Sequence, residues 1–167
     1  MQKFISVLFL FALFTPHPVS AQIRAVVYAT GFSFPVEMVQ DPVLAHVQYV
    51  LQKTGRLRVL VNGEVQDTDF IDLSLGVSSD SERGLLGMAF APDYESSGRV
   101  YLNFTDLDGN TVIARYKRSD SDPLQLDPAS RFDLRWGGPT GLRVIEQPEA
   151  NHNGGKLAVA ASKRVRR

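Results

Sequence analysis

The residues best suited to chemistry fall in two glycine-bearing blocks. The first is Asn151-His152-Asn153-Gly154-Gly155-Lys156-Leu157. A lone imidazole has an unperturbed pKa of about 6.5, so His152 can take a proton near neutrality. The flanking amides can fix its tautomer, and the glycines let a ligand come close to the backbone. The same residue types also suit a plain surface turn. The second block is Glu82-Arg83-Gly84-Leu85-Leu86-Gly87-Met88-Ala89-Phe90-Ala91-Pro92-Asp93. Two glycines flank a leucine pair just ahead of an apolar run, as in a loop that drops into a central strand, where glycine permits a tight turn or a close approach. Backbone punctuation alone would look the same.

Other chemistries find little support. The chain has no cysteine, which excludes disulfides, thiolate metal sites and thiol catalysis. The remaining histidines, His17 and His46, make no pair at metal-ligand spacing, so no metal ligand is assigned. No phosphate loop, dinucleotide fingerprint or Gly-x-Ser-x-Gly elbow is present. Asp106-x-Asp108-Gly109-Asn110 looks like the start of a calcium loop but lacks the bidentate carboxylate at its far end. It reads better as a hairpin turn, because Asp, Gly and Asn tolerate positive φ. The sequon Asn103-Phe104-Thr105 lies inside an expected strand and is set aside.

The elements that must position these blocks are short strands. No long segment carries apolar residues at helical spacing, whereas short alternating runs recur between turn residues. Candidate strands are 24–29, 46–51, 56–61, 85–90, 99–105 and 111–117, with weaker ones at 142–146 and from Lys156 to Val159. Leu57, Val59 and Val61 share one face, as do Val100, Leu102 and Phe104. Asn62-Gly63 is a strong hairpin signal, and Thr54-Gly55 marks another turn. The segment 120–135, with two prolines and several aspartates, reads as a long surface loop. This pattern predicts an all-β fold, and its strand density is compatible with propeller blades.

The 167 residues, 44% of them hydrophobic and 22% charged, suit one ordinary globular domain. Eighteen basic residues balance eighteen acidic ones, so no long-range field suggests a nucleic-acid partner. The start reads as a secretory signal: a positive Met1–Lys3, an apolar run over 4–14, and a small-residue cleavage site at Val19-Ser20-Ala21. The run is shorter than the ~20 residues a membrane-crossing helix needs, so no membrane span is expected after cleavage. The expected organisation is a signal peptide at 1–21, propeller blades at 22–158 and a basic tail at 159–167. A secreted or periplasmic location follows.

Three blocks in order, GLLGMAFAPDY, RVYLNFTDLDGNTVIARYKRS and NHNGGKLA, resemble the soluble PQQ-dependent sugar dehydrogenases of the glucose/sorbosone dehydrogenase family, which includes bacterial aldose sugar dehydrogenases. QYVLQKTGRLRVLVNGEV fits that family's first blade, and the resemblance runs from about Phe32 to Ala158. The resemblance implies part of a six-bladed β-propeller of antiparallel four-stranded blades. It implies pyrroloquinoline quinone (PQQ) as cofactor, an aldose as substrate and an external electron acceptor. His152 then falls at the position of the general base that takes the anomeric proton, beside the quinone. Glu82 and Asn151 fall where relatives contact the sugar. Some relatives carry an amide at the first position and many an aspartate at the second. Calcium belongs to the family, but its ligands are not expected within this chain.

After Ala158 the sequence departs from the family pattern and turns into Val159-Ala160-Ala161-Ser162, followed by Lys163, Arg164, Arg166 and Arg167. The expectation is a shortened reading frame, impaired or inactive as an enzyme, because an unclosed propeller leaves bare strand edges. The rival expectations are a non-enzymatic propeller binding module and an inert fragment.

Overall fold

A computed structural model describes residues 22–160 of the chain. The expected signal segment and nearly all of the basic tail lie outside the described residues.

Two four-stranded antiparallel sheets form the body, each a meander of neighbouring strands. The first contains β1 (Pro35–Gln40), β2 (Val47–Gln52), β3 (Arg56–Val61) and β4 (Glu64–Asp72). The second contains β5 (Leu85–Phe90), β6 (Arg99–Thr105), β7 (Thr111–Arg118) and β8 (Leu126–Asp133). A single helical turn, α1 (Tyr94–Ser97), joins β5 to β6. The turn is brief because Gly98 follows it in the left-handed region, at φ 62°.

The turn chemistry explains the meanders. Asn62 and Gly63 both hold positive φ, at 54° and 82°, and close the β3–β4 hairpin in the manner that matches strand twist. The Asp106 carboxylate accepts the N–H groups of Asp108 and Asn110, so the Asp-rich stretch is a hairpin turn between β6 and β7, as its composition predicts.

Alternation puts one face of each sheet into a shared core. Val47, Tyr49, Leu51, Leu57 and Val59 of the first sheet join Met88, Val100, Leu102, Phe104, Ala114 and Tyr116 of the second. Each large side chain buried this way is worth about 1.5–3 kcal/mol relative to exposure. An aromatic chain crosses the seam, with ring centroids 4.2 Å apart for Tyr49 and Phe70, 5.8 Å for Tyr49 and Phe90, and 4.5 Å for Phe90 and Tyr94. Beneath it lies Asp41, 2% exposed. Its carboxylate accepts the N–H groups of Val43 and Leu44 and the hydroxyls of Tyr49 and Tyr94. Four donors on one buried carboxylate remove most of its desolvation cost.

Several expected elements differ. The run 24–29 forms no strand; Val26 and Val27 are exposed, and Tyr28 reaches back to Gln48 with a 2.7 Å hydrogen bond. The segment 120–135 is not one long loop, because β8 occupies its second half. Pro128 has no N–H and most of β8 is exposed, which suits an edge strand and hides it from a pattern search. Strands β1 and β4 went unpredicted for a related reason: both lie at sheet edges and show few buried positions. The stretch 142–146 makes only isolated bridges, Thr111 with Ile145 and Trp136 with Leu142, and Lys156–Val159 forms no strand.

Candidate functional site

The loop carrying Glu82 is held at both ends. Leu85 donates its N–H to the Lys53 carbonyl, and Thr105 donates to the Gly84 carbonyl, each at 2.9 Å. Gly84 sits at φ 153° with the Lys53 carbonyl oxygen 2.5 Å from where a Cβ would stand. Only glycine fits there. The Lys53 ammonium adds a 2.6 Å bond to the Ser81 carbonyl. The loop is thus wedged between the β2–β3 turn and the end of β6.

The segment bearing His152 lies directly against it. Glu82 donates its N–H to the Ala150 carbonyl at 3.2 Å. One oxygen of the Glu82 carboxylate accepts the His152 N–H at 2.5 Å. Glu82 therefore ties the 150–152 segment by two bonds, its N–H to the Ala150 carbonyl and its carboxylate to the His152 N–H 70 positions away, the second of them charge-assisted. His152 adopts φ 59°, a left-handed conformation that costs a non-glycine residue about 1 kcal/mol. The Glu82 bond and the Gly154 N–H donated to the His152 carbonyl at 3.1 Å offset that cost.

Beyond His152 the segment packs on β5 through glycines. A Cβ on Gly87 would stand 1.9 Å from the Gly155 carbonyl oxygen, and one on Gly155 would stand 2.2 Å from the Leu86 Cβ. Gly155 therefore serves backbone packing rather than ligand approach. Gly154 does have open space around it, with nothing within 4 Å of an added Cβ. Asn103 donates its Nδ2 to the Gly155 carbonyl at 3.2 Å, so the sequon asparagine is a buried strut of this segment. Lys156 pairs with Glu37 on β1, whose other oxygen accepts the Met88 N–H at 3.4 Å. Glu37, Asn103 and Lys156 are the positioning residues that sequence reading missed. Their only visible signal was polarity at positions within or beside apolar strands.

The structure brings together all three expected site residues. Asn151, His152 and Glu82 are exposed on one loop cluster at the end of the second sheet where β6 finishes. The Asn153 amide beside them is different: both its nitrogen and its oxygen are shielded from solvent and lack partners. A shielded amide with both ends unmet suits a hydrogen-bonding ligand or water. What the cluster offers chemically is an exposed imidazole as proton acceptor, a carboxylate, and amides that can donate and accept. Its cations are engaged elsewhere: Lys156 is paired with Glu37, the Lys53 ammonium donates to the Ser81 carbonyl, and the Arg83 guanidinium lies against Gly109.

Two meandering four-stranded antiparallel sheets sharing a core define a propeller-like all-β protein, and the fold is of the PQQ-dependent sugar dehydrogenase type. The PQQ-bound aldose sugar dehydrogenase of Streptomyces coelicolor superposes with a TM-score of 0.54 at 24% identity, over 77% of this chain and 35% of that one. An oxidoreductase of Thermus thermophilus described as a glucose dehydrogenase superposes with a TM-score of 0.55 at 20% identity, again over 77% and 35%. In sequence, mouse Hedgehog-interacting protein is 31% identical over 112 residues, which is 59% of this chain and 16% of the mouse protein. The human protein is 32% identical over 93 residues, 47% of this chain and 13% of its own. The chain thus spans about a third of the solved sugar dehydrogenases and about a sixth of the mouse relative. No family model matches the chain. Among the described residues, no helix is long and apolar enough to cross a membrane.

Proposed function

We infer that this span is part of an exported, six-bladed sugar dehydrogenase in which His152 is the proton acceptor. The observation that carries the reading is the joining of Glu82 to His152 across 70 residues. That bond sets the two blocks of the family resemblance on one exposed cluster. A neutral imidazole there can take the anomeric proton of an aldose as the hydrogen on the same carbon leaves with its electron pair. Asn151 and the free capacity of the Glu82 carboxylate would hold the sugar hydroxyls.

PQQ fits part of this cluster. The unmet Asn153 amide and the space around Gly154 suit its carbonyl edge. Its carboxylates need cations, and Lys156 is spent on Glu37. Partners for those carboxylates, and for calcium, would come from outside the described residues. Bound PQQ would supply the hydride acceptor, and an external acceptor would then reoxidise it. His152 would stand at its edge and hold the proton.

The test is a titration of the purified chain with PQQ and an aldose, followed by the imidazole resonances of His152, alongside dye reduction. Those resonances are expected to shift, though only at high PQQ concentration, because partners for its carboxylates would come from outside the described residues. Any turnover should fall about a hundredfold or more in His152→Ala, the usual scale for a lost general base. Unmoved His152 resonances, or turnover indifferent to the substitution, would overturn the reading.

A second reading, a non-enzymatic binding module, is favoured by the sequence match to Hedgehog-interacting protein, which exceeds the identity to the enzymes. On that reading the surface would bind a hedgehog-type signalling protein. Saturable binding of such a ligand that survives His152→Ala, with no sugar oxidation, would select it.

A further inference from the structure

The far end of the second sheet carries a basic groove unrelated to the His152 cluster. Arg99 opens β6, whereas the Glu82 loop is bonded to Thr105, at its other end. Arg99 faces Lys117 across the β6–β7 ladder, and Arg115 lies two residues from Lys117 on the same face. With Ser96 and Ser97 these side chains line a groove of about 400 Å³.

The cations of this groove are short of counterparts. Among the described residues neither Arg115 nor Lys117 forms an ion pair, and Arg99 is bonded to Asp93 through Nη2 at 2.6 Å. The Nε atoms of both Arg99 and Arg115 are shielded and have no hydrogen-bond acceptor. An unmet guanidinium donor away from water is costly, so each such atom calls for an explanation. Asp127 stands opposite Lys117 in the β7–β8 ladder, and Asp120 lines the wider cavity beside the groove, but among the described residues neither carboxylate pairs with Arg115 or Lys117. The serines bring no counter-charge, and their hydroxyls are turned to Asp93: Ser96 donates to its carbonyl and Ser97 to its carboxylate.

One of the cations is also held in place. The Arg115 guanidinium lies over the Phe132 ring, 4.7 Å from its centroid. Stacking fixes the plane of the guanidinium and leaves its edge for in-plane acceptors. A planar fork beside a mobile ammonium matches a tetrahedral oxyanion, which offers two oxygens to the fork and one to the ammonium. A lone carboxylate could occupy the fork but would leave Lys117 unmatched.

The geometry points to an oxyanion site at Arg115 and Lys117, with Arg99 at its margin, that takes a sulfate or phosphate group either as a free ion or as a sugar ester. It is independent of the sugar-oxidation reading.

The experiment is a nuclear magnetic resonance titration of the purified chain at low ionic strength. Inorganic sulfate, inorganic phosphate, glucose 6-phosphate and glucose 6-sulfate are the probes, and sodium chloride at matched ionic strength is the control. Saturable shifts are expected at the Arg115 Nε–H and at the Ser97 and Lys117 amides, together with weakening as salt rises. Esters binding more tightly than the free ions would name a sugar ester as the source; equal affinities would name the free ion. Lys117→Gln, at an exposed position and so safe for folding, should weaken binding about tenfold, and Arg115→Lys should weaken it further by removing the fork. Shifts no different from those in chloride, or saturable binding that both variants leave unchanged, would overturn the site.

Discussion

At the residue scale, Glu82 fixes the geometry of the candidate site. Its carboxylate holds the His152 backbone, so its first effect is on where the imidazole stands. Glu82→Ala should release that N–H and lose about 1 kcal/mol locally, the net worth of a typical exposed hydrogen bond. Hydrogen exchange at the His152 amide is the readout, and it should quicken roughly fivefold. Exchange that stays as slow as in the parent chain would show that other contacts hold the segment. The sequence reading assigned Glu82 to the sugar on resemblance; the bond to His152 could not be read from either block, because it joins residues 70 apart.

At the scale of elements, the close approach of the 150–157 segment to β5 decides whether the site forms. Gly87 and Gly155 permit that approach, and Asn103 braces it. Gly87→Ala would drive a Cβ into the Gly155 carbonyl and should destabilise the chain by about 1–3 kcal/mol, as overpacking does. Gly154→Ala, with open space at its Cβ, is the contrast and should cost less. Comparing thermal midpoints of the two variants checks the claim, and equal midpoints would sink it. The glycines of both blocks were legible as sites of turning or close approach. That they approach each other was not.

At the scale of the whole molecule, the shared core places three tyrosines where ionisation is resisted. Burial, foremost, raises the pKa of Tyr49, Tyr94 and Tyr116 above the ordinary tyrosine value. For Tyr49 the neighbouring Tyr94 and the Asp41 charge push in the same direction. In the unfolded chain these phenols ionise near their ordinary value of about 10. The folded chain keeps them protonated there. The stability this contributes is therefore complete below about pH 10 and is lost as pH rises beyond it. Thermal midpoints followed from pH 8 to pH 11 should fall on the alkaline side. The fall should be smaller in Tyr49→Phe than in the parent chain, once the variants are aligned at pH 8. A parallel fall in both would show that Tyr49 plays no part.

The sequence by itself determined the all-β class, most of the strands and the hairpin turns at Thr54-Gly55, Asn62-Gly63 and Asp106–Asn110. Those depend on neighbours within a few residues: alternation that sorts faces, and Asn-Gly or Asp-Gly pairs that reverse the chain. It also singled out Glu82, Asn151 and His152, because their types and their glycine settings are local facts. Tertiary structure alone decided β1, β4 and β8, three of the four edge strands, whose exposure removes the apolar pattern that the buried edge strand β5 keeps. It alone decided the Glu82–His152 junction, the Glu37–Lys156 pair and the basic groove at Arg115 and Lys117. Each of these rests on side chains brought together by the packing and register of strands distant in the chain, and no spacing along the chain encodes that.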